Sequence, residues 1–204
     1  MLCPFGRRVL VLLGAVGVGR RTLKSMLLRF APDLFATVVP LTSRAPRVGE
    51  QEGREYNFHR KEDILQKIRD GQMIEWGELD NQIYGTSTDS IRSIVRGGRM
   101  CVVDCAPQAL AYLYNSEFMP FVVHIVPPPL EEFIQLEQLR HIRRPVDALS
   151  QVCAKSDEIN NGVHTSQIHL TLTNRNMDVT FKRLTDALDC LRYDTQWVPD
   201  CWMS

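Results

Sequence analysis

The feature that most constrains the fold is an unbroken apolar run, Val9-Leu10-Val11-Leu12-Leu13, which stops at Gly14 and opens onto a glycine-spaced turn. Apolar residues without alternation suit a strand buried on both faces, as in parallel sheets. Beyond the turn, residues 20–30 place Leu23, Met26, Leu27 and Phe30 at helical spacing. Strand, glycine turn and helix in that order open a βαβ unit. Two more apolar runs, residues 100–104 and 121–126, predict further core strands, and alternation predicts another at 167–173. Helices are expected at 88–96, 107–114 and 179–191. Residues 130–161 read as helical, with a basic break at 140–145 that could serve as a mobile lid. The fold class that follows is α/β, a parallel core sheet flanked by helices.

Residues 37–87 have a different texture. Short strand-like pieces at 37–39, 56–58, 73–76 and 82–84 surround one amphipathic helix, 61–70. This predicts a small mixed or antiparallel insert. The tail, 195–202, is aromatic and strand-like and has no evident partner within the chain.

Charge narrows the function classes. The 24 basic residues balance 24 acidic ones, so the cationic excess of a general nucleic-acid or anionic-membrane binder is missing. The longest apolar stretch, residues 9–16, is too short to cross a bilayer. The Gly17-Val18-Gly19-Arg20-Arg21 that follows lacks the small-residue pattern of a leader cleavage site, which argues against secretion. Six cysteines without a Cys-x-x-Cys pair fit a reducing cytosol. The five histidines show no metal-ligand spacing with them, so no structural zinc is expected.

Gly14-Ala15-Val16-Gly17-Val18-Gly19-Arg20-Arg21 stands in the register of a phosphate-binding loop, G-x-x-x-x-G-K-[ST]. Two chemical positions differ. Arg20 replaces the lysine that would reach a transferred phosphate, and a planar guanidinium fork is not a compact point charge. Arg21 replaces the hydroxyl that would hold Mg²⁺, and a cation there repels the metal. Thr22 offers a hydroxyl one residue late, about 100° further round the helix. The plainer alternative is a tight βα turn that needs glycine for its backbone geometry.

The second informative stretch is Thr42-Ser43-Arg44-Ala45-Pro46-Arg47-Val48-Gly49-Glu50. Arg44 and Arg47 can converge on one anion, Glu50 can orient an arginine, and Tyr56 and Tyr84 add neutral O–H donors. The alternative is a solvated, charge-balanced loop.

With these motifs in hand, the chain resembles the guanylate kinase family over nearly its whole length. The glycine loop is followed in order by T-S-R-x-P-R-x-x-E, Gly53-Arg54-Glu55-Tyr56-Asn57-Phe58, Ile74-Glu75-Trp76 and Tyr84-Gly85-Thr86-Ser87. The resemblance implies that the residues matching Arg44, Arg47, Tyr56 and Tyr84 hold the phosphate of GMP, and that those matching Glu75 and Thr86 contact guanine. The departures are Arg20 and Arg21 in the loop, Pro40 for a phosphate-binding serine, and Ala106 for a guanine-contacting aspartate. The lid arginines fall among Arg140, Arg143 and Arg144, and one expected near Val152 is missing.

An ATP half without its chemistry beside a retained phosphate pocket resembles the guanylate-kinase-like domain of membrane-associated guanylate kinase (MAGUK) scaffolds, in particular the membrane palmitoylated protein subgroup. The Gln196-Trp197-Val198-Pro199-Asp200-Cys201-Trp202 ending has its counterpart there. The resemblance implies a kinase-like domain over 1–191. Its core is 8–36 and 88–191, its insert 37–87 and its lid about 130–150. The tail, 192–204, is implied to pair with an upstream SH3 domain absent from this sequence, which would leave Trp197 and Trp202 exposed here. The implied function is a non-catalytic module at cell junctions and the membrane cortex, cytoplasmic and peripheral. It would bind phosphorylated or acidic peptides of scaffold and junction proteins, without nucleic acid or membrane insertion. GMP binding would be weak, and ATP and Mg²⁺ are not expected. The alternatives are a weakly active guanylate kinase and an SH3-pairing domain with a relic pocket.

Overall fold

The computed structural model describes residues 6–140 and 144–202. The glycine-flanked run forms strand β1 (Val9–Leu13), with every residue buried. It lies at the centre of a five-stranded parallel sheet. β7 (Met100–Asp104) and β2 (Phe35–Ala36) lie to one side, β8 (Pro120–Val126) and β9 (Leu170–Thr173) to the other. Because side chains alternate across the sheet, Leu10 and Leu12 enter one buried layer with α1 (Arg20–Phe30) and α7 (Met177–Tyr193). Val9, Val11 and Leu13 enter the opposite layer with α3 (Thr88–Arg96) and α4 (Leu110–Leu113). Truncating Leu10 to alanine would cost about 2–5 kcal/mol.

A separate four-stranded sheet, ordered β4-β3-β6-β5, forms the insert. Its strands are β3 (Leu41–Thr42), β4 (Asn57–Phe58), β5 (Met73–Leu79) and β6 (Gln82–Ser87). Helix α2 (Lys61–Arg69) covers one face, closing a small core of Leu41, Ile64, Met73 and Ile83. β5 and β6 are joined by a tight two-residue turn in which Asp80 (φ 50°) and Asn81 (φ 60°) are both left-handed. That geometry matches the twist of an antiparallel pair. Helices α5 (Leu130–Leu139) and α6 (Val146–Asn160) flank the basic break. Within that break His141, Ile142 and Arg143 lie outside the described residues.

Several sequence expectations need correction. Residues 37–39 form no strand. The insert sheet starts two residues later, at Leu41, where Pro40 contributes its carbonyl to the Asn57 N–H (2.8 Å). The 107–114 helix is a 3-10 turn followed by one α-turn, with Tyr114 as its C-cap. The strand expected from residue 167 begins at Leu170, because Thr165–Gln167 curl into a 3-10 turn. The last helix starts at Met177, since Asn176 caps the N–H groups of Asp178 and Val179. The tail forms no strand among the described residues. It ends in a 3-10 turn, Asp200–Trp202, with Trp202 buried.

Candidate functional site

The sequence-derived residues fall in two neighbourhoods. The first is a corner of the insert sheet, where the chain leaves β3 and turns through residues 43–50. Glu50 holds this turn together. Its carboxylate accepts two hydrogen bonds from the Arg44 guanidinium, both 2.6 Å, and one from the Arg47 backbone N–H at 2.7 Å. The pair is bidentate, the strongest arrangement for these groups, and only 12% and 17% of the two side chains is exposed. The Arg44 guanidinium first, and the Arg47 N–H second, hold the Glu50 carboxyl down to about 2. Arg44 also lies over the rings of Tyr56 (4.9 Å) and Phe58 (5.7 Å) and interacts with Tyr84. Tyr56 and Tyr84 meet edge to face at 5.8 Å. Arg44 is therefore fixed in place. The Arg47 side chain is exposed and has no hydrogen-bond or ion-pair partner among the described residues.

An apolar shelf adjoins this corner. Tyr84 pairs in register with Thr42 on one side and Gly77 on the other. A Cβ added at Gly77 would meet nothing within 4 Å, so the sheet beside Tyr84 is bare backbone. Leu79 points to the same face as Gly77 and is 62% exposed.

The second neighbourhood is a cleft of about 750 Å³ between the glycine loop, the end of β7 and α6. Its charged lining includes Arg20, Arg21, Glu75, Asp104, Lys155 and Glu158. Gly14 (φ +144°) is required because a Cβ there would collide with the Ile125 carbonyl oxygen. The loop cations face groups of the protein itself. Arg20 donates to the Cys105 carbonyl at 3.1 Å. Asp104 is paired with Lys24 and, at 3.6 Å, with Arg21. Arg144 donates to Glu137 at 2.7 Å, lies over Phe133, and reaches the Gly17 carbonyl at 3.5 Å. Asn174 donates to the Val18 carbonyl at 2.7 Å.

Thr22 lies on the outer side of α1, beside Ser25, Leu28 and Arg29, and does not line the cleft. Glu75 does line it. Burial raises this carboxyl above its ordinary range, and it accepts a long 3.5 Å bond from the Ala106 N–H. Thr86, the register partner of Glu75, is buried. The structure thus gathers Arg44, Glu50, Tyr56 and Tyr84 at one corner, with Arg47 at its edge. Glu75 belongs to the other neighbourhood.

Magnesium, which the loop motif implies, does not fit these residues. Both Asp104 oxygens face cations, and among the described residues no three His, Cys, Asp or Glu side chains form a metal cluster. Lys24 was not recognised in the sequence. Its signal was its place one turn along α1 from Arg20 and Arg21, which puts it on the same side. Thiol chemistry is also remote, since burial pushes Cys105 up to about 12.

The guanylate kinase family model matches residues 6–191. The chain belongs to the guanylate kinase family. Among curated proteins, this guanylate kinase domain is 40% identical to MAGUK p55 subfamily member 2 of Rattus norvegicus, over 98% of the chain and 37% of that protein. It is 39% identical to Protein PALS2 of Homo sapiens, over 98% of the chain and 38% of the relative. Protein lin-2 of Caenorhabditis elegans is 33% identical, over 99% of the chain and 20% of the relative. The chain thus spans between a fifth and two fifths of these relatives' lengths. Two solved structures share the fold. Guanylate kinase from Anaplasma phagocytophilum aligns with TM-score 0.54 and 21% identity, covering 93% of this chain and 88% of its own. The SH3-kinase fragment of tight junction protein 3 aligns with TM-score 0.55 and 16% identity, covering 95% and 61%. The α/β guanylate-kinase fold and the MAGUK resemblance read from the motifs both stand.

Proposed function

We propose that this guanylate kinase domain is a non-catalytic interaction module that grips a phosphoserine or acidic side chain of a partner peptide. The grip is the corner of Arg44, Arg47, Tyr56 and Tyr84, with Gly77 and Leu79 as the shelf for flanking apolar residues. The observation that carries this reading is the uneven state of the arginines. Arg44 is pre-oriented by Glu50, and Arg47 is exposed with no hydrogen-bond or ion-pair partner among the described residues. By contrast, Arg20 and Lys24 beside the glycine loop are engaged by Cys105 and Asp104, and Arg144 by Glu137 and Gly17. The phosphate monoesters of GMP and phosphoserine are locally the same group, so one pocket can serve either. Phosphoryl transfer draws nearly all its rate from positioned cations and metal. Arg21 and Lys24 stand where that metal would dock, so neither ATP nor Mg²⁺ belongs to this function.

The domain is taken as residues 1–191 with a tail, 192–204, that pairs with an SH3 domain. The partners are scaffold and junction proteins at the cytoplasmic face of the membrane. No described helix is long and apolar enough to cross a membrane. Calorimetric titration with a phosphoserine peptide, GMP and Mg–ATP tests the reading. The peptide should bind, and Arg47→Ala should weaken it at least about tenfold, as expected for losing a charged hydrogen bond. Unchanged affinity in both Arg44→Ala and Arg47→Ala would make the pocket a relic. GMP phosphorylation near about 1–100 s⁻¹ would make the protein an enzyme.

A further inference from the structure

The two tail tryptophans sit in opposite environments. Trp197 is 94% exposed and Trp202 only 7%. Trp202 packs edge to face on Tyr114 at 4.8 Å, and Tyr114 in turn stacks on His169 at 6.0 Å. Over the Trp202 ring, at 5.4 Å, stands the guanidinium of Arg7. Arg7 is 3% exposed and pairs with no carboxylate among the described residues. Its N–H groups go instead to three oxygens: the Pro120 carbonyl (3.2 Å), the Gln196 side chain (3.0 Å) and the Trp197 carbonyl (2.9 Å). Two of those three belong to the tail. A buried cation without an anion is tolerated only while its donors are filled, so Arg7 needs the tail as much as the tail needs Arg7. Arg7 precedes β1 and Pro120 opens β8. The seat is therefore at the base of the sheet, at the opposite end from the glycine loop.

We infer that Arg7 and Tyr114 form an intramolecular socket for the chain's own tail, with Trp202 as its anchor and Arg7 as its clamp. Trp202 is then a core residue of this domain. An incoming strand partner meets only the Trp197 side of the tail. The inference refines the tail-pairing reading without depending on it, because the socket is complete within one chain. Seating a tryptophan under a cation and against an aromatic ring adds an attraction beyond plain burial.

The test uses the full chain and a fluorescein-labelled peptide of residues 193–202, followed by anisotropy. The wild-type chain, its socket filled, should bind the peptide weakly. The Trp202→Ala chain should bind it at least tenfold more tightly, and adding Arg7→Met should abolish that gain. In the peptide, Trp197→Ala should leave binding unchanged, whereas Trp202→Ala should weaken it at least tenfold. A chain ending after Asp194 is a second receptor should Trp202→Ala fold poorly. Equal peptide binding by wild-type and Trp202→Ala chains would overturn the inference, as would a peptide that depends on Trp197 instead. A wild-type dimer that becomes monomeric on Trp202→Ala would place the tail in a second copy and overturn seating within one chain.

Discussion

Around the glycine loop, Arg20, Lys24 and Arg144 face acceptors supplied by the protein, and Arg21 touches Asp104 at 3.6 Å with its side chain exposed. At the insert corner the same side-chain chemistry is divided differently: Glu50 holds Arg44 rigid, while the Arg47 guanidinium has no hydrogen-bond acceptor among the described residues. The difference shows that the number of arginines near a cleft says little about anion binding. What matters is how many donors the fold leaves unfilled around a rigid support, since a preorganised fork loses less entropy on binding.

The largest effect should come from comparing the backbones of the two regions. Gly14→Ala faces both positive φ and a main-chain collision with Ile125, while Gly49 (φ +89°) has open space around it. Urea unfolding should show a loss of about 3 kcal/mol or more for Gly14→Ala and about 1 kcal/mol for Gly49→Ala. Similar losses at both would remove the claim that the loop geometry is tightly enforced. Next in size is ligand binding. Arg47→Ala should cost about 1.5–3 kcal/mol of phosphoserine-peptide affinity, whereas Arg20→Ala should change it less than about twofold, within measurement scatter for a residue outside the site. A reversal would move the site to the loop.

A smaller effect should follow Asp104→Asn, which releases Lys24 and Arg21 and leaves the cleft net positive. ATP affinity should rise about two- to fivefold at low salt and fall back as salt screens it. No rise would mean the loop is closed to anions for other reasons. The last test is acid. The Glu50 carboxyl, held at about 2 in the fold, lies below its ordinary value of about 4.3. Its stabilisation is thus complete above about 4.5 and is lost as pH falls toward 2. Glu50→Gln should flatten that part of a thermal-melt pH profile while leaving neutral pH little changed in slope.

Much of this arrangement was legible in the sequence, and the exceptions share a cause. Runs such as residues 9–13 and 100–104 report burial on both faces, which one residue string can carry. The T-S-R-x-P-R-x-x-E stretch likewise contains both partners of the Arg44–Glu50 pair within six residues of each other. What the sequence did not show depends on meetings between distant residues. Lys24 meets Asp104 across 80 positions, and Arg7 meets Gln196 across 189. The 37–39 run has strand-forming valines, yet the ladder starts only where β6 can pair with it, at Leu41. Tail residues with strand propensity find no edge to join among the described residues, and the Trp202 ring takes the open base of the sheet.

The short connection between Leu79 and Gln82 has a reach beyond its size. Side chains along β6 alternate, with Ile83 turned toward α2 and Tyr84 toward the arginines. If one residue gained or lost at Asp80-Asn81 moved the β5–β6 pairing by one position, those two faces would be exchanged. The tyrosine would be buried under the helix and the isoleucine exposed, with every binding residue still in the chain. The length of that bend is the ruler against which the whole corner is measured.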